Sequence, residues 1–171
     1  LEPLGLHVII YSGYLKNKVH FFFMLRKSTQ EDVEAIFEII KNLPEPDYTL
    51  LTLGDNPLHI EKARCMSDVQ SDKGSCLVYQ AGDIIVGFIY AQDIQDRAAR
   101  IRYLYVAPGH RGKGINYRLY DACESDLKEK SYAKIIFGTA HDNVPVKIMG
   151  QKRSFEFLRS EEHLDFYAKN L

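Results

Sequence analysis

Between a run rich in β-branched and aromatic residues and an amphipathic helical pattern stands VAPGHRGKGIN, residues 106–116. Gly109, Gly112 and Gly114 let the backbone turn tightly and let a ligand approach the main chain. A helix begins at once, so the N–H groups of its first turn lack internal partners. Those N–H groups, the positive end of a helix dipole, and the cations Arg111 and Lys113, with His110 when protonated, make an anion site, most often for phosphate.

Two common phosphate loops fail on named residues. G-x-x-x-x-G-K-[ST] fits Gly109 and Gly114 but meets Ile115 where Lys is required. G-x-G-x-x-G fits Gly112 and Gly114 but meets Tyr117 at the third glycine. The context also differs, because three β-rich runs precede the loop: SCLVYQ, IIVGFIYAQDI and ARIRYLYV. Turns at Ala81-Gly82-Asp83 and Gln95-Asp96-Arg97 join them into an antiparallel meander.

The rest of the chain alternates. MLRKSTQEDVEAIFEII reads as a short strand and a helix, with Ser28 and Glu31 at capping-box spacing and Val33, Ile36, Phe37 and Ile40 on one face. Pro44 and Pro46 end it. An irregular segment follows and turns helical from His59. After the glycine loop, Ile115, Leu119, Ala122, Cys123 and Leu127 form an apolar helical stripe, which makes Cys123 a core residue. KIIFGT reads as a strand and VPVKIMGQKRS as a helix with Pro145 in its first turn; FEFLRS and EEHLDFYAKNL read as closing strands. The order predicts a mixed α/β fold with helices on both faces of the sheet.

Residues 24–171 form one domain on this reading, and Met24 resembles a natural start. Residues 1–23 are an extension of unknown role, either a hairpin of HVIIY and VHFFF or sequence added to the protein. The formal net charge of -1 gives no global pull toward nucleic acid or an anionic membrane. No apolar stretch approaches the ~20 residues of a membrane span. Cys65, Cys76 and Cys123 lack metal-ligand spacing and cannot all pair, which favours a reducing, cytoplasmic setting and no metal.

The stretch IRYLYVAPGHRGKGINYRLYDACESDL resembles the coenzyme A site of the GNAT acetyltransferases, in which V-x-P and R-G-x-G lead into a helix. The resemblance extends in element order from Met24 to Leu171. It implies a mostly antiparallel twisted sheet that splays at the loop-bearing strand. It also implies acetyl-CoA as cosubstrate, a small-molecule or peptide amine as acceptor, and compatibility with a homodimer. Carried over residue by residue, it gives main-chain pyrophosphate ligands at Arg111, Gly112, Lys113, Gly114, Ile115 and Asn116. The pantetheine arm would run along Leu104, Tyr105 and Val106, with Val106 N–H facing the developing oxyanion, and Asn143 would contact the coenzyme.

The departures lie in acid–base chemistry. The family often has Gly or Ala at Asn116, and a Tyr acid seven residues after Asn143, where this chain has Gly150. Many members carry a Glu base near the start of the loop-bearing strand, where this chain has Arg100 and Arg102. Candidate bases are Asp93 and Asp96 at a meander turn and His141 beside Asn143, each of which also has an ordinary turn or strand-end reading. One of Tyr103 and Tyr105 is expected at the acceptor side, and Glu45, Asp47 and Asp55 could attract a cationic amine. Direct transfer in a ternary complex then runs without an acid at position 150, and restoring Tyr there should not slow it. The competing reading is a non-catalytic acyl-CoA binder or regulatory domain.

Overall fold

The computed structural model describes residues 9–13, 21–43 and 57–171. In it β2 (Phe21–Lys27) runs without a break through Phe23 and Met24, so the boundary after residue 23 falls inside a strand. On one side it pairs antiparallel with β1 (Ile9–Gly13), from Ile9 opposite Leu25 to Gly13 opposite Phe21. On its other side lies β3 (Ser75–Ala81). The turn of the expected N-terminal hairpin lies outside the described residues.

Helix α1 (Gln30–Lys41) starts one residue later than the capping-box spacing suggested. The Ser28 N–H still donates to the Cys76 carbonyl, so Ser28 belongs to the sheet. Thr29 is the N-cap: its hydroxyl accepts from Asp32 N–H, and the Asp32 carboxylate accepts from Thr29 N–H at 2.7 Å. Asp32 also takes Arg26 through both guanidinium nitrogens, at 2.5 and 2.9 Å, which ties the helix start to β2.

The meander appears as read. Strands β3, β4 (Ile84–Ile94) and β5 (Ala98–Val106) pair antiparallel in sequence. β6 (Lys134–Ala140) lies parallel to β5, and the hairpin of β7 (Glu156–Glu161) and β8 (Leu164–Asn170) completes an eight-stranded sheet in the order β1-β2-β3-β4-β5-β6-β8-β7. Among the described residues the one parallel pair is the crossover that carries α3 (Ile115–Glu129). Helix α4 (Val144–Lys152) follows β6, with Pro145 in its first turn.

Strand alternation separates two cores. Leu77, Tyr79 and Ile89 face the layer of α3 and α4 with Leu119, Cys123 and Phe137. Val78, Phe88 and Tyr90 face α1 and α2 (Leu58–Gln70) with Val33, Phe37 and Cys65. Cys123 is a core residue, and burial pushes its thiol up to about 12, so it is no nucleophile near neutrality.

Candidate active site

β5 and β6 pair only from Ala98–Lys134 to Ile101–Phe137. Beyond that, β5 continues to Val106 and β6 to Ala140 with no ladder between them, and a gap opens in the sheet. The register with β4 shows what faces it. The Ala107 N–H donates to Val86 O at 2.9 Å, which makes Val106 and Gly87 a non-hydrogen-bonded antiparallel pair. The Tyr105–Phe88 pair is therefore bonded, and Leu104–Ile89 is not. Main-chain groups of Leu104 and Val106 thus turn away from β4 into the gap. Those of Tyr105 are spent on the ladder, and its ring packs on Phe88 in the other layer, so Tyr105 is not brought to the gap. Tyr103 shares that face, as i and i+2 must, with its ring edge-on to Phe37.

At the end of β5 a 3₁₀ turn, Pro108–His110, leads into the glycine loop. Gly112 and Gly114 both adopt φ of 74°, and Gly114 is the N-cap of α3. The first bond within the helix runs from Arg118 N–H to Gly114 O, so the N–H groups of the preceding turn are left for another acceptor. Arg111 N–H is not among them: it closes the turn on Pro108 O at 3.3 Å. The Arg111 side chain instead donates from Nε to the Val106 carbonyl at 2.9 Å, which leaves Val106 with its N–H toward the gap. The first turn of α3 carries no acidic residue. Lys113 folds back onto Gly109 O, and Arg118 reaches Tyr79 Oη, so positive charge stays near the helix start.

Together these walls enclose a cleft of about 480 Å³. Leu104, Val106 and Ile115 form one side, and Pro145, Val146 and Met149 of α4 the other. Asn116 and Tyr117 also line it, and Asn116 approaches Met149 Sδ across it. Among the described residues the cleft wall holds no carboxylate and no thiol.

The candidate bases lie elsewhere. Asp93 pairs with Ala99, four residues of β4 from Ile89, the partner of Leu104, which puts it roughly 13 Å along the strand from the nearest main chain that faces the gap. There it accepts from Tyr132 Oη at 2.7 Å. Asp96 sits beyond it in the turn, at φ of 62°. His141 is near the cleft in sequence but faces β8: Nδ1 lies 3.0 Å from Asp165 and Nε2 2.9 Å from Glu162 O. Both ring nitrogens are engaged on the β8 side of the sheet, away from the cleft. Asn143 caps α4, its side-chain oxygen accepting from Val146 N–H at 3.4 Å. Gly150 does not face the cleft at all. A Cβ there would stand 2.7 Å from Phe137 Cζ, so the space a Tyr would need is filled by a core ring. Glu45, Asp47 and Asp55 lie outside the described residues. Glu61 of α2, which nothing in the sequence marked, is buried against Arg102 of β5 at 2.9 Å.

The model of the acetyltransferase (GNAT) family matches residues 35–155. The chain belongs to the GNAT acetyltransferase family. It is an acyltransferase of the GNAT type. No curated protein matches it in sequence. Among solved structures it is similar to the PaiA N-acetyltransferase of Thermoplasma acidophilum, in complex with coenzyme A, at TM-score 0.70 and 19% identity over 87% of this chain and 99% of that one. It is similar to the ribosomal-protein-alanine N-acetyltransferase of Brucella melitensis at TM-score 0.66 and 17% identity, over 86% and 99% of the two chains. YncA of Salmonella typhimurium, with its cofactor acetyl-CoA, matches at 0.65 and 16%, over 87% and 92%. At such identities the likeness is one of fold. The space over the glycine loop is open, since a Cβ at Gly112 or Gly114 would meet nothing within 4 Å.

Proposed function

We infer that the protein moves an acetyl group from acetyl-CoA to an amine by direct attack in a ternary complex. One observation carries this reading: the main chain of Leu104 and Val106 turns into a gap continuous with a loop of unspent N–H groups. Gly112, Lys113, Gly114, Ile115 and Asn116 would hold the pyrophosphate through their N–H groups, with the α3 dipole behind them. Leu104 and Val106 would hold the pantetheine arm as an added strand would be held. Acetyl-CoA would supply the thioester. Val106 N–H, its carbonyl tied by Arg111, is the donor for oxygen charge developing during attack; one such donor is typically worth ~10²- to 10³-fold in rate.

An alkyl ammonium has a pKa near 10.4 and must lose a proton before it attacks. The described cleft wall offers no carboxylate for that step, and His110 is its one imidazole, so the proton leaves through water or His110 and the chain otherwise contributes positioning. The test combines thermal shift with thiol release over an amine panel. Acetyl-CoA should raise the melting temperature and ATP should not, and thiol release should rise with pH as the amine deprotonates. Gly112→Asp should abolish the shift, whereas Gly112→Asn, with a residue that tolerates the same positive φ and brings no charge, should retain part of it. Tight acetyl-CoA binding with background thiol release for every amine would overturn the transferase reading in favour of a non-catalytic binder.

A further inference from the structure

The sheet face opposite α3 and α4 holds a group that the transfer chemistry above does not use. At Arg102 the β4–β5 register slips, with Tyr103 opposite Tyr90 but Ile101 opposite Ala91. The bulge sends Arg102 to the α2 side, where Glu61 takes it through both carboxylate oxygens, at 2.9 and 3.2 Å. Two positions back, Arg100 lies beside Ile136 of β6 with its guanidinium 4.9 Å from the centre of the Phe166 ring. Arg159 of β7 stands over the same ring at 4.6 Å and is paired with Glu161 at 2.5 Å. The ring itself lies across β6 at Gly138, where a Cβ would come within 2.9 Å of it.

Four guanidiniums, with Arg64 of α2, thus stand near two carboxylates. Glu61 is taken by Arg102 and Arg64, and Glu161 by Arg159. Arg100 has no carboxylate within ion-pair distance among the described residues, and its Nε is buried without a hydrogen-bond partner. Burial, with Arg102 and Arg159 nearby, pushes its guanidinium down to about 10, which keeps it charged near neutrality and short of a counter-ion. Arg100 is three ladder steps along β4 from Leu104, roughly 10 Å from the strand atoms that face the gap. A planar fork in this position matches an oxyanion, most directly a carboxylate.

We propose that Arg100 binds an anionic group of the acceptor, so that the preferred substrate is a small amine that also carries a carboxylate or phosphate. This rests on the acetyl-transfer reading. The test compares amines of matched length: butylamine, 4-aminobutanoate and 2-aminoethyl phosphate, with wild type, Arg100→Gln and Arg100→Lys. Wild type should favour at least one anionic amine over butylamine in kcat/KM by about 10- to 100-fold, the range of one charge-assisted contact. Which anion is preferred separates carboxylate from phosphate. In Arg100→Gln the ratio should collapse toward one, mainly through KM, and Arg100→Lys should restore part of it. Equal use of neutral and anionic amines by wild type, or a ratio unchanged in Arg100→Gln, overturns the proposal. If no amine is acetylated, the transfer reading fails, and the site is read by binding: a thermal shift with 4-aminobutanoate or 2-aminoethyl phosphate in wild type but not in Arg100→Gln upholds it, and no shift with either overturns it.

Discussion

A methyl group at Gly150 would stand 2.7 Å from Phe137 Cζ and 3.0 Å from its Cε1. Phe137 has nowhere to go, because it is 1% exposed and packed between Phe155, at 4.8 Å, and Tyr167, at 5.2 Å. The family motif places a Tyr at this position, and motif spacing alone suggests that restoring it would not slow turnover if the ring fits. The side chains on β6 set a steric cost on that fit. Gly150→Tyr should destabilise by about 1–3 kcal/mol or more as an overpacked core residue. That means a melting temperature lower by several degrees in a chain of this size. A scanning-calorimetry midpoint equal to wild type would show that the helix shifts to admit the ring. The same locality bears on Asn143: its amide oxygen serves the α4 N-cap, a use that looks identical in sequence to contact with a ligand.

At the scale of elements, the strands and helices were legible because their side-chain patterns are strong. β3 to β5 read as near-continuous apolar runs because both faces of these strands are buried, one in each core, whereas the stripe of α3 follows the contrast of apolar core and polar exterior. Boundaries were less legible. Ser28-x-x-Glu31 and Thr29-x-x-Asp32 fit the same spacing, and only a hydrogen bond from Ser28 to β3, far along the chain, chooses between them. The distance of Asp93 from the gap was likewise hidden until the length of β4 was known. One element contact gives a pH dependence. On α3, burial alone would raise the Glu124 carboxyl, but Lys128 at 2.6 Å, Lys169 of β8 at 2.7 Å and the Tyr120 hydroxyl hold it down at about 2. A carboxyl held below its unfolded value, near 4.3, adds stability above that value and loses it as pH falls toward the folded one. Wild-type stability should therefore fall more steeply than that of Glu124→Gln between pH 5 and 2, as followed by urea midpoints. Parallel pH profiles would show that the α3–β8 tie contributes nothing, as many exposed ion pairs do.

Across the whole molecule, the order of elements could be read ahead, while the charged contacts on the α2 face of the sheet could not. The Glu61–Arg102 pair joins residues 41 apart, and the Arg100–Phe166 contact joins β5 to β8, so neither leaves a local signature. The gap has a further consequence for cooperativity. The sheet is continuous through β1–β5 and through β6–β8–β7, and the two parts meet in a short parallel ladder from Ala98 to Ile101. A pantetheine arm lying against Leu104 and Val106 would extend that ladder and act as a missing strand. Ligand present at 100 times its Kd adds about 2.7 kcal/mol to global stability. Amide hydrogen exchange would show where that stability is felt. The Leu104 and Val106 amides should slow more than those of Phe22 or Met24 in β2, because the ligand closes the seam there. Uniform slowing through the sheet would instead mean that the two parts already open only together, with the short ladder as strong a joint as the rest.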